Sequence, residues 1–186
     1  SALQAYYDDL KAKLLLPLTR ADGLVSTLVQ PLSDDLKRRL YRDRGEHVVG
    51  GSHLVDIVDW PRTERADYDF REYNTVVNAF LFRGLILMAR MAGQVGRHDD
   101  AEAFRSRGRQ VRQSFQRVFF DRSTGLYVDG EGSDHSSFHA NFFPLAFGLV
   151  PSERKAAILA FLRGKGMACS PYGAQYLLEA LFRNGC

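Results

Sequence analysis

The chain has 186 residues, of which 45% are hydrophobic and 25% are charged, and this composition excludes wholesale disorder. The length predicts a single domain. Its 25 basic and 22 acidic residues give a net charge of +3, and because the two signs are interspersed we expect no nucleic-acid partner. No stretch approaches the roughly 20 unbroken apolar residues of a membrane span, so we also expect no membrane partner.

Three further observations concern the compartment and cofactors. The sequence shows no basic and then apolar start of the kind typical of a signal peptide, and the compartment therefore stays open. Cys169 and Cys186 are too few for a disulfide framework, and their spacing matches no metal motif. Glycine-rich phosphate loops are missing as well, so we expect no cofactor.

The N-terminal third begins with a helix and is irregular after it. Residues 2–16 are strong helix formers, and the run stops at Pro17. Residues 19–33 are typical of a loop, after which Ser33 is a candidate cap for a short helix. Residues 42–60 contain three glycines and predict irregular structure.

Buried and amphipathic helices alternate from residue 75 onward. The run 76–91 is apolar nearly all round and predicts a helix that is buried on most sides. The next segment predicts a surface helix, because its apolar residues form a single stripe. The stripe consists of Ala101, Phe104, Gly108, Val111, Phe115 and Val118.

The same alternation repeats in the last third of the chain. Residues 142–149 are apolar and predict a short inner helix, and Ser152 is the candidate cap of an outer helix that runs through Leu162. Ser170 and Pro171 occupy the cap and first-turn positions of a last helix. The alternation predicts an all-α fold, and specifically an (α/α) barrel, since an ordinary bundle shows amphipathic stripes on every helix.

A first cluster of candidate functional residues lies in residues 55–68. It combines the carboxylates of Asp59, Glu64 and Asp67 with two arginines and the rings of Trp60 and Tyr68. A sugar site needs this combination, because aromatic faces cover the apolar side of the ring and charged groups bind hydroxyls in defined directions. The alternative is a solvated loop in which Trp60 fills the core.

A second cluster lies in residues 129–141, where His135 and His139 are four residues apart and would share a helix face. A zinc site could use both imidazoles with Glu131 or Asp134, but Ser136 stands where the zinc motif has its glutamate. We therefore expect no metal. The remaining interpretations are histidines that point into a barrel lumen from a helix N-terminus, and structural histidines.

A third candidate is Tyr172, at the start of the last helix, which either reaches the lumen or packs in the core. None of the three clusters places a nucleophile and a base at a recognisable spacing.

Six blocks are spread over most of the chain, from residue 59 to residue 181, and they come in a fixed order. They are Asp59–Pro61, Asn74–Phe80, Gly125–Gly132, His135–Asn141, Gly148–Pro151 and Gly166–Leu181. Together they resemble the catalytic-domain core of bacterial α-L-rhamnosidases. The resemblance implies a six-hairpin α/α barrel, of which residues 1–186 form an incomplete segment of a single catalytic domain.

The resemblance also implies an inverting glycoside hydrolase, in which one carboxylic acid protonates the leaving oxygen and a second carboxylate activates water. The family's acid and base blocks match nothing in this chain, so the segment alone is expected to be inactive. Glu179 lies in the helix before the expected base block. Glu64 is the nearest candidate acid, although its surroundings differ from the family's acid motif.

The resemblance implies a pocket for terminal rhamnose in which Trp60 stacks on the sugar, Asp59 binds a hydroxyl and the histidines contact the ring. The candidate substrate-binding residues are Asp59, Trp60, Arg65, Asp67, His135, His139 and Tyr172. The expected partner is a rhamnose-containing carbohydrate. Self-association is also expected, because an incomplete barrel exposes the apolar flanks of its inner helices.

Two alternatives stay open. One is a non-catalytic carbohydrate-binding or interaction module that kept the barrel and lost its acid and base. The other is a different α/α-barrel enzyme, either another exo-glycosidase or a polysaccharide lyase.

Overall fold

The computed structural model of the chain describes residues 2–26 and 56–185. The α-helices in this part are α1 (Ala2–Ala12), α2 (Thr75–Gln94), α3 (His98–Val118), α4 (Phe138–Ala146), α5 (Lys155–Lys165) and α6 (Pro171–Arg183). The strands β1 (Phe120–Asp121) and β2 (Leu126–Tyr127) form one short antiparallel hairpin. Three 3-10 turns complete the described elements: Leu16–Leu18, Arg62–Glu64 and Ser152–Arg154. The all-α prediction is confirmed.

The helices form an inner and an outer row. In the inner row, α4 contacts both α2 and α6, and every residue of α4 is buried. In the outer row, α3 packs along α2 and α5 packs against α4, while α1 lies against α2. The predicted alternation of buried and amphipathic helices is therefore confirmed.

An aromatic seam, which we define as Phe80, Phe143, Phe147 and Tyr176, joins the three inner helices. The ring centroid of Phe80 in α2 lies 5.0 Å from that of Phe143 and 5.7 Å from that of Tyr176. Phe143 and Tyr176 are 5.2 Å apart. Tilted and edge-on pairs at these distances add about 0.5–1.5 kcal/mol each beyond the burial of their area. The seam thus fixes how α2, α4 and α6 pack against one another.

The predicted stripe of α3 is confirmed for five of its six residues. Ala101, Phe104, Gly108, Val111 and Phe115 are buried, as is Ser114 beside them. Val118, at the last position of the helix, is only half-buried. The polar side of α3 carries exposed arginines, as expected for an outer helix.

Several predicted helix ends are wrong by a few residues. The first helix ends at Ala12, because Leu15 takes a left-handed conformation with φ 55° and starts a 3-10 turn. The short inner helix begins at Phe138, four residues earlier than predicted, because the Ser137 side chain accepts a hydrogen bond from the Ala140 N–H.

The two predicted serine caps have different outcomes. Ser152 caps no α-helix: it lies inside a 3-10 turn, and α5 begins after it at Lys155. The Ser170 cap is confirmed, since its side chain accepts from the Gly173 N–H and Pro171 occupies the first turn. The predicted helix after Ser33 lies outside the described residues.

Helix α2 is long and apolar enough to cross a membrane by length and composition, although it is not an unbroken apolar run. Its two arginines interrupt the apolar run without making the helix polar. A helix buried in a protein core passes the same test, and half of the apolar segment is buried inside this fold.

The exposed side of α6 leads to a first prediction. Leu178 and Phe182 are one helical turn apart and are 55% and 83% exposed. We expect the chain to self-associate through this surface, because desolvation of such apolar groups is favourable. Light scattering should therefore show a mass that rises with concentration. The double variant L178S/F182S should lower that rise, whereas Y6S, which removes an exposed ring from α1, should not. A monomer over a wide concentration range would contradict this expectation.

Candidate functional site

The carboxylate of Asp59 is the centre of the candidate site and has no exposed surface. Its Oδ1 accepts from the backbone N–H of Trp60 at 2.7 Å and from the Ser170 hydroxyl. Its Oδ2 lies 3.0 Å from the backbone N of Ser170 and 2.8 Å from Nε2 of His139. Four protein donors therefore surround this one buried acid, and they come from the loop before α2, from α4 and from the start of α6.

These donors determine the charge of Asp59. Burial raises the pKa of its carboxyl, but hydrogen bonds from Ser170, His139 and the backbone N–H of Trp60 oppose burial and hold the pKa below its usual value. Asp59 is therefore ionised at neutral pH. Because its folded pKa is lowered, its stabilising contribution is present above the ordinary value of 3.8 and is lost as the pH falls through the lowered one.

His139 is buried and neutral beside Asp59. A carboxylate only accepts hydrogen bonds, so Nε2 of His139 carries the proton that it donates to Asp59. Burial lowers the pKa of His139, and the hydrogen bond and charge of Asp59 only partly oppose this. Its other ring nitrogen, Nδ1, is buried without a hydrogen-bond partner in the part of the chain that the structure describes. The imidazole thus acts as a donor on one side and packs against Phe142 on the other.

Trp60 lies at the surface next to this buried acid. Its side chain is 76% exposed, so the interpretation that Trp60 fills the core is wrong. The guanidinium of Arg65 donates to the carbonyl oxygens of Asp59 and Trp60 at 2.7 and 3.2 Å. The backbone of Trp60 is therefore held on both sides while its indole points outward, which is the arrangement that an aromatic sugar platform requires.

The other candidates of this loop are placed less closely. Glu64 ends the 3-10 turn and is half-buried, and its charge contributes to the raised pKa of the Cys169 thiol, about 11, for which burial is the larger cause. Asp67 is exposed in a tight turn in which Ala66 and Asp67 have φ 51° and 55°. Two non-glycine residues in the left-handed region store backbone strain, a feature that clusters at ligand-binding loops.

A second buried acid, Asp129, was missed by the sequence reasoning. Its Oδ1 accepts from the backbone N–H of Ser137, and its Oδ2 lies 2.8 Å from the backbone N of Asp69 and 2.6 Å from Nδ1 of His135. The hydroxyl of Tyr68 donates to its carbonyl oxygen at 2.6 Å. Through these hydrogen bonds Asp129 joins the loop before α2, which contains Tyr68 and Asp69, to the turn before α4.

The two histidines do not share a helix face, and that prediction is wrong. His135 lies in the loop before α4 and is half-exposed, whereas His139 is in the first turn of α4 and is fully buried. Each is bonded to a different carboxylate, that of Asp129 or that of Asp59. The helix face was predicted from the spacing of four residues, but the helix begins only at Phe138, between the two histidines.

No group of three or more His, Cys, Asp or Glu side chains that could hold a metal ion is present within residues 2–26 and 56–185. The zinc alternative in particular needs His135 and His139 to converge on one point. Each histidine instead forms a hydrogen bond with a different carboxylate, so the two imidazoles do not converge on one metal position.

Tyr172 packs in part, as one of the two interpretations made from the sequence predicted, and is otherwise exposed. One side of its ring packs near Tyr176 and Phe143, with centroids 5.6 and 6.5 Å away, while 46% of the residue stays exposed. Burial, with a smaller contribution from Tyr176, raises the pKa of its hydroxyl to about 12. Tyr172 thus extends the aromatic seam to the surface at the end of α6 where Asp59 is bound.

Comparison with known proteins identifies one family and several similar structures. A family model for the bacterial alpha-L-rhamnosidase 6 hairpin glycosidase domain matches residues 34–186. A GH78 family rhamnosidase from Bacillus sp. GL1 is 22% identical with a TM-score of 0.70, over 98% of this chain and 17% of that one. A rhamnosidase from Klebsiella oxytoca, solved with rhamnose bound, is 16% identical with a TM-score of 0.64, over 94% of this chain and 28% of that one. No curated protein sequence matches.

These likenesses establish the fold and the extent of the match. At 22% and 16% identity they show a shared architecture, and the prediction of a segment of a six-hairpin α/α barrel is confirmed. The chain spans 17% and 28% of the lengths of the two rhamnosidases.

Gly173 tests the packing around Asp59. An added Cβ would lie 2.9 Å from Cβ of Cys169 and 3.0 Å from Oδ2 of Asp59, so we expect G173A to cost about 1–3 kcal/mol through overpacking. G93A is the matched control, since nothing lies within 4 Å of its added Cβ in α2. It should stabilise the chain by about 0.5–1 kcal/mol, as alanine normally does in a helix. Urea unfolding measures both, and equal stability of the two variants would contradict the packing described.

His139 leads to a prediction about pH. Its folded pKa is lowered from 6.5, so the unfolded chain binds a proton more readily. The contribution of neutral His139 to the free energy of unfolding is therefore complete above pH 6.5 and declines as the pH falls below that value. Nearby Asp59 and Asp129 oppose this shift, and Arg65 adds to it.

Unfolding midpoints measured from neutral pH downward should show this decline. The variant H139Q keeps a donor for Asp59 but cannot titrate, so its stability should change less over the same interval. An identical slope in H139Q and the wild type would rule out His139 as the cause.

Proposed function

The chain belongs to the bacterial α-L-rhamnosidase six-hairpin glycosidase domain family, and on that premise we propose that it is part of a glycoside hydrolase that removes terminal rhamnose from glycosides or polysaccharides. The observation that carries the proposal is the outward-facing indole of Trp60, held beside a fully buried acid where inner helices α4 and α6 begin. The Klebsiella oxytoca relative with rhamnose bound supports the choice of sugar.

Residues 1–186 are proposed to be part of a single α/α-barrel catalytic domain that hydrolyses the glycosidic bond with inversion. In that mechanism a protonated carboxyl group and a carboxylate stand roughly 6.5–9.5 Å apart across the sugar, with room for a water molecule. The family's acid and base blocks match nothing in this chain, and their residues are proposed to lie outside it. This agrees with the small share of each rhamnosidase that the chain covers.

Within the chain, the charge of Asp59 argues against its use as the acid. A general acid must be protonated before the reaction, and enzymes raise its pKa for that purpose. The lowered pKa of Asp59 has the opposite effect. Glu64 is half-buried in the same loop and stays the candidate acid of this segment.

The proposed substrate site combines an aromatic platform with polar groups around it. Trp60 would cover the apolar face of rhamnose, and Tyr172 would extend that surface. The exposed carboxylate of Asp67 and the half-exposed imidazole of His135 are the groups that could reach hydroxyls. Arg65, which is bonded to two backbone carbonyls, shapes the loop that carries the platform.

Titration calorimetry with rhamnose tests the platform. We expect W60A to weaken binding about tenfold or more, because stacking area is lost, and W60F to weaken it less. Since Trp60 is exposed, neither change should alter the free energy of unfolding by more than about 0.5 kcal/mol. F182A is the matched control: it removes an equally exposed ring about 18 Å along α6 from Ser170 and should bind rhamnose as the wild type does.

Hydrolysis of an aryl rhamnoside by the longest natural chain that contains these residues tests the reaction. Release of the aryl alcohol with inversion at the anomeric carbon supports the proposal. Rhamnose binding without turnover would support the carbohydrate-binding alternative, and absence of both would contradict the proposed function.

A further inference from the structure

We propose that Asp59, together with His139 and Ser170, is a positioning residue that fixes the Trp60 platform to the ends of α4 and α6 and does not itself bind the sugar. This inference rests on the proposed function, because it assigns a task to the residues beneath the platform. It replaces the role predicted from the sequence, in which Asp59 binds a hydroxyl.

The hydrogen-bonding capacity of the Asp59 carboxylate is used by the protein itself. An ionised carboxylate offers about four lone-pair sites. All four are matched by protein donors: the N–H groups of Trp60 and Ser170, the Ser170 hydroxyl and Nε2 of His139. The side chain has no exposed surface either. A sugar hydroxyl therefore finds neither a path to Asp59 nor a free acceptor site on it.

The carboxylate of Asp59 is also connected directly to the Trp60 platform. Oδ1 of Asp59 accepts from the N–H of Trp60, and Arg65 donates to the carbonyl oxygen of that same peptide and to that of the next one. These bonds restrain the backbone at residues 59 and 60. The orientation of the indole then depends only on its own two side-chain torsions, which limits the entropy lost when a sugar stacks on it.

The carboxylate of Asp59 is anchored to the starts of two helices. Ser170 is the N-cap of the thirteen-residue helix α6, and both its N–H and its hydroxyl are bonded to Asp59. His139 lies in the first turn of α4. The N-terminus of a helix stabilises a negative charge, so α6 favours the ionised form that the cluster requires. Gly173 leaves the space that the carboxylate occupies.

The chain offers a direct readout of this cluster, because Trp60 is its only tryptophan. Fluorescence anisotropy and acrylamide quenching, excited where tyrosine does not absorb, report the mobility and accessibility of that one indole. The test variants are D59N and S170A. In D59N the side-chain amide places an N–H group against the donors that surround residue 59. S170A removes the hydroxyl that donates to Asp59.

Two matched controls separate a local effect from general loosening. D129N changes a carboxylate that is equally buried and also bonded to a histidine, but that has no bond to Trp60. S114A removes a buried serine hydroxyl that binds the carbonyl oxygen of Asp22. The conservative variant S170T retains a hydroxyl at the cap and should restore the behaviour of the wild type.

We expect D59N and S170A to lower the anisotropy of Trp60, to raise its quenching by acrylamide and to raise the dissociation constant for rhamnose about tenfold. The two controls and S170T should leave the anisotropy unchanged. If D59N does not fold, the comparison of S170A with S170T decides whether the cluster positions Trp60.

Unchanged Trp60 anisotropy in folded S170A would overturn the inference, as would an equal change in D129N and S114A. The anisotropy comparison needs no sugar. If the variants show the expected anisotropy pattern but the longest natural chain neither binds rhamnose nor hydrolyses a rhamnoside, the proposed function is refuted and the positioning of Trp60 stays established.

Discussion

Hydrogen bonds to the buried carboxylate of Asp59 join three segments that are far apart in the sequence. Its partners His139 and Ser170 follow it by 80 and 111 residues. A buried charge is costly unless every acceptor site is satisfied, so the three segments have little freedom to move relative to one another. This arrangement depends on the space that Gly173 leaves, and the backbone that carries the outward-facing Trp60 depends on the arrangement.

The cluster lies beside the apolar interior of the inner row. His139 packs near Phe142 and Phe143, with ring centroids 5.1 and 6.2 Å away, and the aromatic seam continues from Phe143 to α2 and α6. Hydrogen bonds in such surroundings are stronger than in water, because the local dielectric constant is low. Packing of the inner helices and positioning of the platform are therefore two effects of one core. A surface loop acquires rigidity from it, as a binding loop on a rigid scaffold requires.

The sequence predicted what depends on local patterns. The alternation of helices, the stripe of α3 and the cap at Ser170 follow from residue type and spacing, and the structure confirms them. The sequence could not predict contacts set by tertiary structure. His135 and His139 have helical spacing but lie on either side of a helix start, and Asp129 looked like any other acid in a glycine-rich loop. The exposure of Trp60 could not be predicted either, because the sequence of a loop does not distinguish an exposed tryptophan from a buried one.

A crystal structure of the chain with rhamnose bound tests the central claim most directly. We expect the apolar face of the sugar to lie over the indole of Trp60, with the carboxylate of Asp59 still bonded to His139 and Ser170. A carboxylate that turns away from these partners to bind a sugar hydroxyl would contradict the positioning role. Rhamnose bound at a place remote from Trp60 would contradict the site itself.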